Sequence, residues 1–214
     1  MKTRVLSADD PEAIRRARRL LQAGEVVAFP TDTVYGVGAH AFQPEAVAAL
    51  YVVKGRPEEK AIPILVAQME DVERVARAVP PAAWRLAERF WPGGLTIVLP
   101  RAAKVPDIVT AGGDTVAVRC PAHPVPLALM NALGAPLAAT SANLSGQPSP
   151  ATARQVIEQL AGRLPLIIDG GECPGGVASS VIDLSASPPR LLRAGAVSAD
   201  ELRALLPDLV SSEN

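Results

Sequence analysis

Apolar residues gather in short blocks along the chain, and the spacing inside each block predicts an element. Asp9, Asp10, Pro11 and Glu12 set acids at a helix start, where the helix dipole favours negative charge. Ile14, Ala17, Leu20 and Leu21 then form one apolar helical face, and Gly24 closes it. Residues 26–29 are a continuous apolar run too short for a helix, hence a buried strand. Residues 44–53 read as a helix opening on proline, and "AIPILVA" as another buried strand. Helices are expected around 71–79 and 81–90, and short strands at 95–99, 115–119 and 137–140. A helix over 151–161 would start from a Ser149-Pro150 cap, and "LPLIIDGG" gives a strand and a turn. Strands at 180–184 and 191–193 precede a last helix, where Ser198 and Glu201 make an S-x-x-E capping box. Elements of both kinds interleave without a repeat or a long linker. The expected fold is α/β: one domain over 7–207, a twisted mixed sheet with flanking helices, and a short tail at 208–214.

Composition narrows the chemistry. Hydrophobic residues make up 49% of the 214, but aromatics only 3%, which argues against base stacking on aromatic rings. The formal charge of −1 supplies no bulk attraction to nucleic acid. Only four of the 21 basic residues are lysine: Lys2, Lys54, Lys60 and Lys104. The arginines at 15, 16, 18 and 19 resemble a nucleic-acid patch, but read better as the solvated face of the first helix. Cys120, Cys173, His40 and His123 lack metal-ligand spacing, so no metal site is expected and two ordinary thiols are the better reading. No apolar stretch is long enough to span a membrane and no signal-peptide core opens the chain, so a cytoplasmic location is expected.

Four polar segments interrupt the apolar pattern near strand ends, where open α/β sheets place ligands. In "FPTDTVYGVGA", Thr31, Asp32 and Thr33 either bind a small polar ligand or cap a turn; Gly36 and Gly38 would let backbone approach a ligand. In "KGRP", Lys54 and Arg56 would project from one side of an extended chain and converge on a phosphate, or form a solvated basic turn. In "TVAVRCP", Thr115, Ala117 and Arg119 share one strand face, and Arg119 wants an anion, either a ligand or an internal Asp. In "SANLSGQPSPAT", Ser141, Asn143 and Ser149 make a cradle for a nucleotide or carboxylate, with the following helix pointing amide donors the same way. The Walker, Rossmann and G-x-S-x-G motifs are all absent, which disfavours a P-loop enzyme or a covalent hydrolase.

Taken in order, these segments with "WPGGLTIVLP" and "LLRAGAVS" closely resemble the YrdC-like threonylcarbamoyl-AMP synthase family, across almost the whole chain. The resemblance implies a large concave, positively lined site and the conversion of L-threonine, bicarbonate and ATP to threonylcarbamoyl adenylate and pyrophosphate. It implies Mg²⁺ with the ATP, and a product used to modify adenosine in tRNA through a separate tRNA-threonylcarbamoyl transferase complex, with tRNA contact possible. The K-x-R and S-x-N signature falls on Lys54, Arg56, Ser141 and Asn143, which would carry the chemistry. Lys54, Arg56, Thr115, Ser141, Asn143, Ser149 and Arg193 would bind ATP. Thr31, Arg119 and the backbone at Ala139 would hold threonine, with Arg119 taking the substrate carboxylate in place of an internal partner. Ala178 stands where many relatives carry an acid, and Leu65 near the position of a pocket histidine in some long members. An RNA-binding module and a non-catalytic paralogue are the alternatives from other classes.

Overall fold

The computed structural model describes residues 1–174 and 177–211. In chain order the elements begin with β1 (Arg4–Ser7), α1 (Pro11–Gln22), β2 (Val27–Phe29), β3 (Gly36–His40), α2 (Pro44–Lys54) and β4 (Ile64–Leu65). After a 3₁₀ segment (Met69–Arg74) come α3 (Pro81–Phe90), β5 (Leu95–Pro100), α4 (Asp107–Thr110), β6 (Thr115–Arg119), α5 (Pro124–Leu133) and β7 (Leu137–Ser141). The chain continues through α6 (Ala153–Leu160), β8 (Leu166–Asp169), β9 (Ser180–Asp183), β10 (Arg190–Arg193), α7 (Ala199–Leu205) and β11 (Val210–Ser211). The strands form one sheet in the order β1-β8-β2-β3-β7-β4-β6-β5-β9-β10-β11. Parallel and antiparallel pairs mix, as expected: β2 runs parallel to β8 and antiparallel to β3.

Alternation along the strands divides the core in two. Ala28, Ile64, Ile97, Val118, Ala138, Ile167 and Ile182 join one apolar cluster with residues of α2, α3, α4, α6 and α7. Val27, Phe29, Leu65, Leu137, Ala139, Leu166 and Ile168 join a second with Ala13, Ala17 and Leu21 of α1 and Val125, Leu129 and Met130 of α5. Burial of a side chain such as Leu21 or Leu129 contributes about 2 kcal/mol. Among the described residues only these two helices pack on the second face, over the β1-to-β4 half; beyond β4 loops rather than helices border it.

Several elements differ from expectation. The helix expected at 71–79 is the 3₁₀ segment only, because Ala76 leaves it to bridge Arg101. Of "AIPILVA", only Ile64 and Leu65 enter the ladder; Pro63 has no N–H to give, and its carbonyl accepts from Ala139 N at 2.9 Å. The helix expected from Ser149-Pro150 starts later, with Thr152 as its cap and Gln155 completing the capping box. That box already occupies part of the helix's first turn, so the turn offers fewer free amides than expected. Strands β1 and β11 extend the sheet beyond 7–207 at both ends. Arg15, Arg18 and Arg19 of α1 are a solvated face, with Arg15 paired to Glu12 and its side chain 66% exposed, whereas Arg16 is half-buried.

Gly36 and Gly38 have a packing role. A Cβ on Gly36 would lie 3.0 Å from the Phe29 ring, and one on Gly38 3.1 Å from the Ala138 carbonyl and 3.2 Å from the ring. Phe29 lies flat across β3 because that strand has no side chains there. Gly36 also borders the cavity described next, whereas Gly38 does not.

Candidate active site

A cavity of about 230 Å³ lies on the half of the sheet beyond β4, where the α1–α5 layer stops. Its floor follows from strand register. Leu65 pairs with Arg119, Val98 with Ala117, Thr96 with Val181, and Val181 with Arg193. Side chains two apart on a strand share a face, so Ala117 and Arg119 point into the cavity while Val116 and Val118 enter the core.

The loop after β2 forms one wall. Thr31 Oγ1 donates to Val34 O at 2.6 Å and accepts from the amides of Thr33 and Val34 at 3.1 and 3.3 Å. The turn-capping reading of this loop is what the hydrogen bonds show, and the capped turn lines the cavity.

Arg119 departs from the expectation that a substrate would replace an internal partner. Its Nη2 donates to Asp32 Oδ1 at 2.6 Å, Nη1 to Thr33 Oγ1 at 2.9 Å and Nε to Gly93 O at 2.8 Å. The pair is nearly dry, with side chains 9% and 15% exposed. A guanidinium carries five N–H donors, so these three bonds leave two for a ligand.

Lys54 is 2% exposed, and its Nζ donates to the carbonyls of Ser141 and, at 2.7 Å, Asn143. Among the described residues it has no carboxylate partner. Burial, then the charge of Arg56, lowers its pKa to about 8. The extended-chain convergence expected for "KGRP" does not occur. Lys54 ends α2, and Gly55 caps that helix in the left-handed region at φ 56°. Arg56 instead donates to the carbonyls of Lys60 and Ala61 at 3.0 and 2.8 Å. Asn143 is also buried. Its Nδ2 donates to Leu144 O and Gln147 O, both at 2.8 Å, while its Oδ1 has no partner among the described residues.

Of the residues singled out in the sequence, Thr31, Arg119, Ala139, Ser141, Ser149 and Arg193 line the cavity together. Lys54, Arg56, Asn143 and Thr115 do not; Lys54 reaches it through the Ser141 carbonyl, and Thr115 lies exposed at the start of β6. Leu65 and Ala178 both line it, so the two departures from the family pattern bear on the site. Sequence reasoning missed Thr96 and Ser179. Their hydroxyls lie 2.8 Å apart, and Arg193 donates to Ser179 O at 3.0 and 2.8 Å and to its Oγ at 3.1 Å. Thr96 stands out in "LTIVLP" as the one polar residue on an apolar strand, a signal that residue order alone carries. Burial, then the charge of Arg119, lowers the pKa of Arg193. Two guanidinium groups therefore share one cavity, with Asp32 offsetting one of them.

The family model Sua5_yciO_yrdC, described as Telomere recombination, matches residues 19–195. Among curated relatives, a threonylcarbamoyl-AMP synthase of Pyrococcus abyssi is 46% identical over 92% of this chain and 58% of its own length. One of Bacillus subtilis is 44% identical over 94% and 58%. The chain thus spans under three fifths of these two relatives. A putative threonylcarbamoyl-AMP synthase of Mycobacterium tuberculosis is 38% identical over 95% of both chains. The solved structure of P. abyssi Sua5 complexed with L-threonine superposes with a TM-score of 0.91 at 46% identity, over 93% of this chain and 58% of the other. With the family model matching most of the chain and a relative 38% identical over 95% of both, the chain belongs to the Sua5/YciO/YrdC family.

Proposed function

We propose that the protein is an L-threonylcarbamoyladenylate synthase, converting L-threonine, bicarbonate and ATP to threonylcarbamoyl-AMP and pyrophosphate. The observation that carries this reading is that one cavity has two different cationic sites, Arg119 on its floor and Lys54 behind the Ser141 carbonyl. Arg119 is fixed at its back and keeps two donors for a carboxylate. Lys54 is buried without a carboxylate, which suits a phosphate chain. The names of the relatives, and the threonine bound to P. abyssi Sua5, support the same assignment.

Threonine is proposed to set its carboxylate on Arg119 with Thr31 and the Ala139 backbone beside it. ATP would run past Ser141, Ser149, Arg193 and Thr115, with its phosphates at Lys54 and Arg56. The orphaned Asn143 Oδ1 would accept from a ligand donor. Mg²⁺ would enter on the nucleotide's phosphates, the usual arrangement for this hard, well-hydrated cation. The threonine amine attacks the carbon of bicarbonate, giving a carbamate and water, or of the carbon dioxide in equilibrium with it, giving a carbamate and a proton. A carbamate oxygen then attacks the α-phosphorus and pyrophosphate leaves. Charge gathers on phosphate oxygens, so fixed cations and proximity would supply most of the acceleration.

The adenylate is labile and is proposed to pass to a separate tRNA-threonylcarbamoyl transferase complex in the cytoplasm. No helix among the described residues is long and apolar enough to cross a membrane. The test is pyrophosphate release from MgATP and bicarbonate with L-threonine, with L-serine, and with neither. Threonine-dependent release, with an adenylate of the right mass, is the expected result. Well-folded protein with no threonine dependence would overturn the reading, and tight, salt-sensitive RNA binding would then favour an RNA-binding module.

A further inference from the structure

The chain leaves the cavity after Ser141 and returns to it at Ser149. One residue holds the two arms of this excursion at their base: Tyr35 O accepts from Ala142 N and Tyr35 N donates to Pro150 O, both at 2.8 Å. Two residues further along each arm the same pair of groups recurs. Leu144 N donates to Gln159 Oε1 at 3.0 Å, and Gln159 Nε2 donates to Pro148 O at 3.1 Å. A primary amide carries the C=O and N–H of a peptide group. The Gln159 side chain, reaching in from α6, therefore bridges the arms as the Tyr35 backbone does at their base.

The rest of the excursion is tied to these bridges. Gln147 N donates to Leu144 O at 2.9 Å around Gly146, whose φ is 85°. Asn143 Nδ2 donates to the same Leu144 O and to Gln147 O, and Ser145 N donates to Lys54 O at 2.9 Å. Leu144 thus has its N–H on Gln159 and its C=O on Asn143. The Gln159 amide can face only one way, because Leu144 N is a donor and Pro148 O an acceptor. Gln159 does not line the cavity, and α6 sends Val156 and Leu160 into the core instead, so the helix can keep its packing without this amide.

We propose that Gln159 is a positioning residue for the nucleotide side of the site. Its amide fixes the separation of the two arms, and with it the places of Asn143 and Ser149, before a ligand binds. The inference rests on the synthase reading only for the identity of the nucleotide. The threonine side is anchored independently: Arg119 by Asp32, Thr33 and Gly93, and Thr31 by Val34. Loss of the Gln159 amide should therefore be felt by one substrate and not by the other.

Two variants test this. Gln159→Leu removes both polar groups at similar size. Gln159→Glu keeps the acceptor but sets a carboxylate against the Pro148 carbonyl; once protonated, that carboxyl regains a donor. Hydrogen exchange at the Leu144 amide of the unliganded protein is expected to quicken about tenfold or more in Gln159→Leu. In calorimetry without threonine, at about pH 7.5, MgATP affinity is expected to fall about five- to tenfold in both variants, the scale of one hydrogen bond. Threonine affinity without nucleotide is expected to change less than about twofold. Taken as a ratio to wild type at each pH, the loss in Gln159→Glu should shrink as pH falls toward about 5, where the carboxyl begins to protonate, and the loss in Gln159→Leu should not. A fold that is merely loosened would not follow the introduced carboxyl. MgATP affinity within twofold of wild type in Gln159→Leu, alongside threonine-dependent turnover, would overturn the positioning role and leave the synthase standing. An equal loss of threonine affinity would also overturn it. Selective loss of MgATP affinity with pH recovery, in a protein whose wild type shows no threonine-dependent turnover, would support the positioning role and defeat the synthase reading. Wild type that binds no MgATP would overturn both.

Discussion

Arg119, which lines the cavity, and Lys54, which bonds the cavity-lining Ser141, are both buried cations, yet the fold treats them differently. Arg119 has a carboxylate, a hydroxyl and a carbonyl on its three nitrogens. Lys54 has two carbonyls and no carboxylate among the described residues. The first is held in place and nearly neutralised before any ligand arrives. The second keeps its full charge out of water, at a cost in free energy that an incoming anion relieves. One group works by position and the other by charge.

Breaking the charged side should have the largest effect. Lys54→Ala is expected to lower turnover by roughly 10²- to 10³-fold, the scale for removing one electrostatic contact to a reacting phosphate. Pre-steady-state pyrophosphate release with a parallel denaturant melt checks this; turnover near wild type with a normal melt would remove Lys54 from the chemistry. Breaking the positional side comes next. Asp32→Asn leaves the Arg119 charge buried without its counter-ion, and is expected to cost about 3 kcal/mol of stability. The KM for threonine should rise more than kcat falls; urea unfolding and steady-state kinetics read the two parts.

The pH response sharpens the contrast. Lys54 titrates at about 8, below the ordinary lysine value, so above that pH the unfolded chain holds a proton that the folded one has lost. Stability of the free protein should therefore rise with pH from about 8 toward the ordinary value. Nucleotide binding should go the other way, because phosphate favours the charged amine. Affinity is expected to fall several-fold between pH 7.5 and 9.5, with proton uptake on binding. Calorimetry in buffers of different ionisation enthalpy measures that uptake, and its absence would mean the phosphates lie elsewhere. Thr33→Val is the mildest change. It removes one of three anchors of Arg119 and is expected to cost about 1 kcal/mol in stability, with a few-fold rise in threonine KM.

Much of this arrangement could be read from residue order, and the failures have physical causes. The two faces of β6 were legible because strand side chains alternate, and "TVAVR" mixes small, charged and branched residues with that period. The partner of Arg119 was not, because Asp32 lies 87 residues away in sequence. "KGRP" misled because Pro57 argues for extended chain at Arg56, whereas Gly55 decides the local path by ending α2 in a left-handed turn. Strand β3 was not among the expected elements; its glycines make room for the Phe29 ring, which lies seven and nine residues away and which residue order does not announce. Helix α5 was not among the expected elements, although Pro124 and Pro126 both fall within its first turn, where proline fits.

The edge of the two-helix layer has a consequence for how the gene tolerates change. Strand β7 passes beneath that edge: Leu137 is packed with the α1 and α5 residues, while Ala139, two residues on and on the same face, borders the cavity. Polar substitutions at Leu137 should lower cellular abundance, whereas bulkier residues at Ala139, which belongs to both the packed layer and the cavity wall, should lower activity more than abundance. Scoring every variant of β7 for both phenotypes would locate that edge to within one residue, as the point where selection for folding gives way to selection for function.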